Sequence, residues 1–295
     1  MMPGPEGLKN PVTTFLRDKR RHLFRNLPLA MAGREEPVHQ IRVAARRLRA
    51  TLPIAAQDPD GRRVRRTVRS LRDLVRAAGT SRDLDVCLAL YDDITGGASS
   101  ESDAERALRR RLSAARGRSR RRMAESLLAF DIAGLHRNLG TIVATGGVTV
   151  EEAIPLLHAA RARQGERILA ELGALGVRFD PAGLHGLRSR ARRLRYVAEL
   201  GDAILETPPR AAKRLKEYQE QLGDLHDAWV LATWLRGQAR RCAARGRGEE
   251  AADAERIAAQ ADRRAHSLHE AFLGTRPEAT LRRAISQVGR RLSVA

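Results

Sequence analysis

Apolar residues recur through most of the chain at i, i+3, i+4 and i+7, the spacing of a helix with one buried face. Runs such as Val38–Leu52 and Leu184–Ala198 set Leu, Ile, Val and Ala at those positions, with Arg between them. Alternating β-branched runs, which mark half-buried strands, are nearly absent. The spacing predicts an all-α protein of about eight to ten helices of ordinary length. Asn10 before Pro11 and Asp180 before Pro181 are each a capping side chain followed by Pro at the first helical position. Thr149 with Glu152 predicts a capping box. Gly79 and Gly223 predict breaks between helices, and Gly96–Ser100, Gly146–Gly147 and Arg245–Gly248 predict loops.

The chain repeats itself over a long period. Val38–Arg49 aligns with Leu184–Arg195, and both segments read H-x-x-R-x-x-x-R-R-L-R. Gly79-Thr80-Ser81-Arg82-Asp83 then aligns with Gly223-Asp224-Leu225-His226-Asp227. Upstream, Arg17, Arg21 and Leu23 align with Arg163, Arg167 and Leu169. Two signatures recurring in the same order point to a duplicated helical unit. The expected halves are residues 8–146 and 149–293, joined near Val143–Val150.

On a helical wheel at about 100° per residue, Arg42, Arg46 and Arg49 fall within about 60° of one another, next to His39. Ile41, Ala45, Leu48 and Leu52 occupy the adjoining face, and Arg47 lies off the stripe. His185, Arg188, Arg192 and Arg195 repeat the cationic arrangement, with Leu187, Ala191, Leu194 and Ala198 on the apolar side and Arg193 off the stripe. Each stripe is about 15 Å long, which suits an extended anion better than a single phosphate. No Asp or Glu interrupts either stretch, so its repulsion is uncompensated until an anion arrives. The plainer reading, a solvated helix face, does not call for a His at the head of both stripes. Each His is equally compatible with a structural hydrogen bond at its helix start. Arg69, Arg72 and Arg76 add a further basic face, matched more weakly by Lys213 and Lys216. Arg17, Arg21 and Arg163 upstream, and Arg82 and His226 in the second signature, complete the candidate set. Asp83 and Asp227 are expected to cap helices.

Charge supports this picture. The 295 residues carry 55 Lys+Arg against 35 Asp+Glu, a net charge of +20, which implies an anionic partner. Only four of the basic residues are lysines. Arginine's planar fork matches phosphate oxygens two at a time. A codon bias toward Arg and Ala accounts for the total, but not for the placement. Apolar residues make up 42% and aromatics 3%, so the core must be built from Leu, Ala, Val and Ile. Cys87 and Cys242 are too few for a disulfide framework or a zinc cage, and a reducing, cytoplasmic setting is expected. No apolar stretch reaches the roughly 18 residues of a membrane span, and Met1–Leu16 lacks the apolar core of a secretory signal.

The doubled H-x-x-R-x-x-x-R-R-L-R, each followed by G-x-x-[R/H]-D, resembles the CHAD domain family over nearly the whole chain. The resemblance implies two pseudo-symmetric four-helix bundles around a central basic groove or pore. It also implies binding of inorganic polyphosphate and association with polyphosphate granules. Carried over by motif, the binding set is His39, Arg42, Arg46, Arg49, His185, Arg188, Arg192 and Arg195, with Arg82 and His226. The chain departs from the family in having Ala78 before Gly79 and His226 where Arg is usual. The E-x-E-x-K strand motif of a fused triphosphate tunnel domain is absent.

Three functions compete. A non-catalytic polyphosphate binder would need no cofactor and no metal. It would bind more weakly as salt rises and more tightly as pH drops toward about 6, where His39 and His185 gain a proton. A nucleic-acid binder is allowed by charge, but few aromatics are available for base stacking, and only weak, non-specific binding is expected. A metal-dependent phosphohydrolase would rest on His226-Asp227 alone, since Arg82-Asp83 offers no matching ligand and His266 with His269 reads as a surface pair. Membrane association is not expected, because the basic helices need their apolar faces for the bundles.

Overall fold

The computed structural model describes residues 10–96 and 102–290, apart from the side chains of residues 80–82 and 287–290. The first half supplies α1 (Pro11–Met31), α2 (Glu35–Ala55), α3 (Arg62–Ala77), α4 (Gly79–Thr95), α5 (Asp103–Leu128) and α6 (Ile132–Thr145). The second supplies α7 (Val150–Leu175), α8 (Pro181–Ile204), α9 (Arg210–Ala243), α10 (Gly248–Gly274) and α11 (Pro277–Arg290). The fold is all-α, and the only pairing of β type among the described residues is an isolated bridge between Ala56 and Gly147. The eleven helices among the described residues exceed the eight to ten expected, and α9, at 34 residues, is far longer than ordinary.

The start signals act as the sequence predicts. Asn10 Oδ1 accepts from the amides of Val12 (2.9 Å) and Thr13 (3.3 Å). Asp180 Oδ1 accepts from those of Ala182 (3.0 Å) and Gly183 (3.2 Å). Thr149 and Glu152 form the reciprocal capping box, at 3.2 and 2.8 Å. Each bond satisfies an amide that the first helical turn leaves without a partner. At Gly79 the chain does break, between α3 and α4. At Gly223 it does not, since that glycine lies inside α9. There an arginine packs over the glycine, as described below.

Apolar side chains collect in three cores. Leu16 and Leu23 of α1, Ile41 and Leu48 of α2, Leu71 of α3 and Leu139 of α6 form the first, which also takes in Leu157 of α7 and Leu200 of α8. The second joins α7, α8, the front of α9 and α11 through Ile168, Leu187, Leu194, Leu215 and Leu281. A third is shared between the halves: Tyr91 of α4 and Leu108 and Leu112 of α5 pack against Leu231 and Leu235 of α9 and Ile257 of α10. Ile41, Ala45, Leu48, Leu52, Leu187, Ala191, Leu194 and Ala198 are all buried, as the wheel requires. Each buried Leu or Ile contributes about 1.5–3 kcal/mol, and this burial holds α2 and α8 in place despite their charge. Among the described residues, no helix is long and apolar enough to cross a membrane.

The loop between α6 and α7 is stitched to the first half. Asn10 Nδ2 donates to the carbonyls of Gly147 (3.3 Å) and Val148 (3.0 Å). Gly147 N donates to Thr13 Oγ1 at 2.8 Å, and Val148 N to the Ala55 carbonyl at 3.2 Å. A Cβ on Gly147 would come within 2.7 Å of Val12 Cγ1 and 2.8 Å of the Ala55 carbonyl oxygen. Since backbone cannot yield cheaply, Gly147→Ala is expected to lower stability by about 1–3 kcal/mol, read as a lower urea midpoint at unchanged m-value. A parent-like midpoint would show that this contact is soft.

Candidate anion-binding site

The two stripes do not present all their arginines to solvent. The first arginine of each is held by the glycine of the second signature. Arg42 is buried, and its Nη1 donates to the carbonyl of Ala78 at 2.8 Å and to that of Gly79. Ala78 caps the C-terminus of α3, where the helix leaves acceptors open, and the Gly79 carbonyl belongs to the first turn of α4. In the second half Arg188 lies over Gly223, where a Cβ would sit 2.9 Å from Nη2. Its Nη1 stands 4.0 Å from Asp227 Oδ1. Because α9 continues through Gly223, no broken helix end offers carbonyls there. The glycine's job in this copy is to make room rather than to turn the chain.

Arg195 is also turned inward. It is buried, with Nε 3.3 Å from Glu199 Oε1 and its guanidinium 4.9 Å from the Tyr196 ring centre. Glu199 also receives Arg47 of α2 through Nε (2.6 Å) and Nη2 (3.3 Å). Arg42 and Arg195 are thus corrections to the expected ligand-facing set, because the fold already uses their charge.

What remains converges. A cleft of about 600 Å³ between α2, α3, α7 and α8 is lined by Arg49, Arg69, Arg72, Arg163, Arg167 and Arg193 over an apolar floor of Ile54, Val68, Leu156 and Val197. A second, of about 260 Å³, lies between α2 and α8 and is lined by Arg46, Arg49, Arg190, Arg192 and Arg193 with Ser189 and Tyr196. The two share Arg49, Ala50 and Arg193, and no Asp or Glu lines either. Arg190 is paired with Glu171, and Arg72 stands 3.6 Å from Asp73, neither carboxylate being part of the lining. Several of the other arginines press on one another. Burial, then Arg193, Arg46 and Arg72, lower the pKa of Arg49. Burial and then Arg46 push Arg192 down to about 9, which still leaves it charged at neutral pH. Burial, Arg190 and Arg167 lower Arg193.

Arg167, Arg190 and Arg193 belong to the lining but not to the expected set. The signal for Arg193 was the R-R pair itself, since adjacent helical residues point to different neighbours. Its counterpart Arg47 spends that position on Glu199.

His185 immediately precedes Gly186, which lines the narrower cleft, and no histidine lines either cleft. The His185 and His226 rings are 4.3 Å apart. Burial lowers the pKa of His185, and Arg188, Arg192 and Arg46 lower it further against the opposing pull of Asp83. His226 is pushed down to about 4 by burial and by His185, Arg188 and Arg192. His226 is therefore neutral at pH 6, and His185 takes up its proton below the ordinary histidine range rather than at the pH of about 6 expected for it. His39 stands half-buried near the start of α2.

Other expected residues lie elsewhere. Arg17 and Arg21 line a separate cleft with Arg20, Arg25 and His136, because α1 turns that face toward α6 and not toward α8. Arg76 is exposed and 3.4 Å from Asp73. Lys213 and Lys216 are exposed on α9 away from both clefts, and Lys216 pairs with Glu220 at 3.2 Å. Arg82 lies on α4, with its side chain outside the described residues. His269 is not a surface residue: it is buried, with its ring 5.4 Å from that of Phe179.

Comparison with known proteins adds three findings. The chain matches the CHAD domain family over residues 14–236. No curated protein sequence matches it. PptA from Streptomyces chartreusis superposes with a TM-score of 0.63 at 19% identity, covering 89% of this chain and 99% of that one. The CHAD domain from the plant Ricinus communis superposes with a TM-score of 0.57 at 21% identity, covering 97% and 91%. At these identities the likeness is one of fold.

The depressed histidines carry a stability consequence. Below pH about 6.5 the unfolded chain binds protons that folded His185 and His226 refuse, so stability falls as pH drops from about 6.5 to about 4. His185→Gln/His226→Gln is expected to flatten the decline in unfolding free energy over that window. Equal slopes for parent and variant would remove the assigned cause.

Proposed function

The chain belongs to the CHAD domain family, and from that membership we propose that it binds inorganic polyphosphate, without hydrolysing it, in the joined clefts between α2 and α8. One observation carries the reading: arginines from both halves line two neighbouring clefts that share Arg49 and Arg193, and no carboxylate lines either. A carboxylate-free cavity of this kind is costly to assemble in an empty protein and is relieved by a polyanion. A linear phosphate chain suits the two clefts because Arg49 and Arg193 border both, and each phosphate brings its own charge and oxygens. The clefts would act as the family's central basic groove, with residues 8–146 and 149–293 as its two halves. In a cell that stores polyphosphate, the protein would sit on its granules.

The histidines refine the binding step. An anion beside His185 and His226 raises their pKa values back toward the ordinary range, so binding takes up protons. Affinity then rises as pH falls below about 6.5. The window is lower than for unperturbed histidines, because burial and Arg188 and Arg192 have first to be overcome.

Arg49→Ala/Arg193→Ala is expected to weaken polyphosphate binding at least about 100-fold, at about 1.5–3 kcal/mol per charge-assisted contact. The slope of log affinity against log salt should flatten by about 1.4. Unchanged affinity, stronger displacement by duplex DNA at equal phosphate concentration, or phosphate release with divalent metals would each sink the proposal.

Arg192→Met separates function from fold. It removes a charge that burial and Arg46 both disfavour, so the empty protein should melt a few degrees higher while polyphosphate affinity drops at least tenfold. A lower melting temperature would show that Arg192 supports the structure instead.

A further inference from the structure

We infer that the cleft between α5 and the rear of α9 is a second ligand site, separate from the arginine clefts above, and that it takes a nucleoside phosphate. This cleft is about 520 Å³, within the range of small-molecule sites. It lies over the third core, on the side of the molecule formed by α5 and the turn into α10.

Two kinds of surface meet there. One is cationic: Arg118, Arg241 and Arg245 line the cleft and form no ion pair among the described residues. Arg111 is more constrained, held by Glu250 and donating to Cys242 Sγ at 2.7 Å. Arg247 stands 4.0 Å from the same carboxylate. The other surface is apolar and flat. The half-buried indole of Trp234 lines the cleft while also packing against the third core. Beside it the amide of Gln238, 9% exposed, offers a donor and an acceptor.

This chemistry differs from that of the main clefts. The larger main cleft has an aliphatic floor and the narrower one meets only Tyr196, itself 2% exposed, and an inorganic phosphate chain has no use for an indole or a sheltered amide. A nucleoside phosphate uses all three features. Its base stacks on Trp234, its base edge meets the two-way hydrogen-bonding capacity of Gln238, and its phosphates reach the unpaired arginines. The proposal does not depend on polyphosphate occupying the main clefts.

The two tryptophans allow a local test. Trp229 has its ring 5.8 Å from that of His226 beside the main clefts, so Trp229→Phe leaves Trp234 as the sole indole. ATP added to this variant at constant ionic strength, without divalent metal, should quench Trp234 to saturation. It should bind about tenfold more tightly than tripolyphosphate. Arg118→Ala/Arg241→Ala should abolish the response while its melting temperature stays within a few degrees of the parent's. A non-saturating quench, equal affinity for tripolyphosphate, or a response that survives the double substitution would each overturn the proposal. Calorimetry on the chain with both tryptophans decides the point if Trp229→Phe does not fold: loss of ATP-selective heat in the double variant supports the site, and an unchanged isotherm refutes it.

Discussion

Arg47 of α2 and Glu199 of α8 meet in a two-pronged ion pair, and much else depends on how that contact holds two helices whose neighbouring faces repel. Arg46 and Arg49 on one helix confront Arg192 and Arg193 on the other. Left to themselves they would part. The apolar faces headed by Ile41 and Leu187 pull the helices into the cores, and Glu199 draws Arg47 and Arg195 together with its single carboxylate. The fold supplies counter-charge behind the clefts and withholds it inside them.

One motif therefore performs several jobs. In each copy its first arginine is structural, leaning on the glycine of the second signature. Its middle arginines, Arg46 and Arg192, face the cavity. Its last positions diverge: Arg49 lines both clefts while Arg195 is interred with Glu199, and Arg47 is spent on an ion pair while Arg193 is left free to line the cavity. The same letters thus meet different surroundings in the two halves. Likewise Gly79 marks a helix boundary and offers Arg42 its carbonyl, whereas Gly223 lies inside a helix and makes room for Arg188.

The histidines illustrate a related constraint. Their position near the stripes suggests extra positive charge, but burial beside Arg188 and Arg192 holds His226 and His185 neutral until ligand or acid intervenes. A positively charged neighbourhood makes a histidine a poor cation on its own account and a responsive one once an anion arrives.

Helix type and many helix starts were legible in the residues, because apolar spacing and capping chemistry act over one or two turns. Asn10, Thr149 and Asp180 needed nothing from the rest of the molecule to cap, and the buried faces of α2 and α8 could be read from a wheel. The cationic stripes were legible for the same reason. Which arginine would serve the ligand and which the fold was not. That depends on partners more than a hundred residues away, such as Glu199 for Arg47, and on which face α1 or α7 turns toward α8. Local sequence determines the periodicity of charge and apolarity; only the packing of distant helices decides where a carboxylate lies within reach of a guanidinium, and hence which positive charges remain for an anion to find.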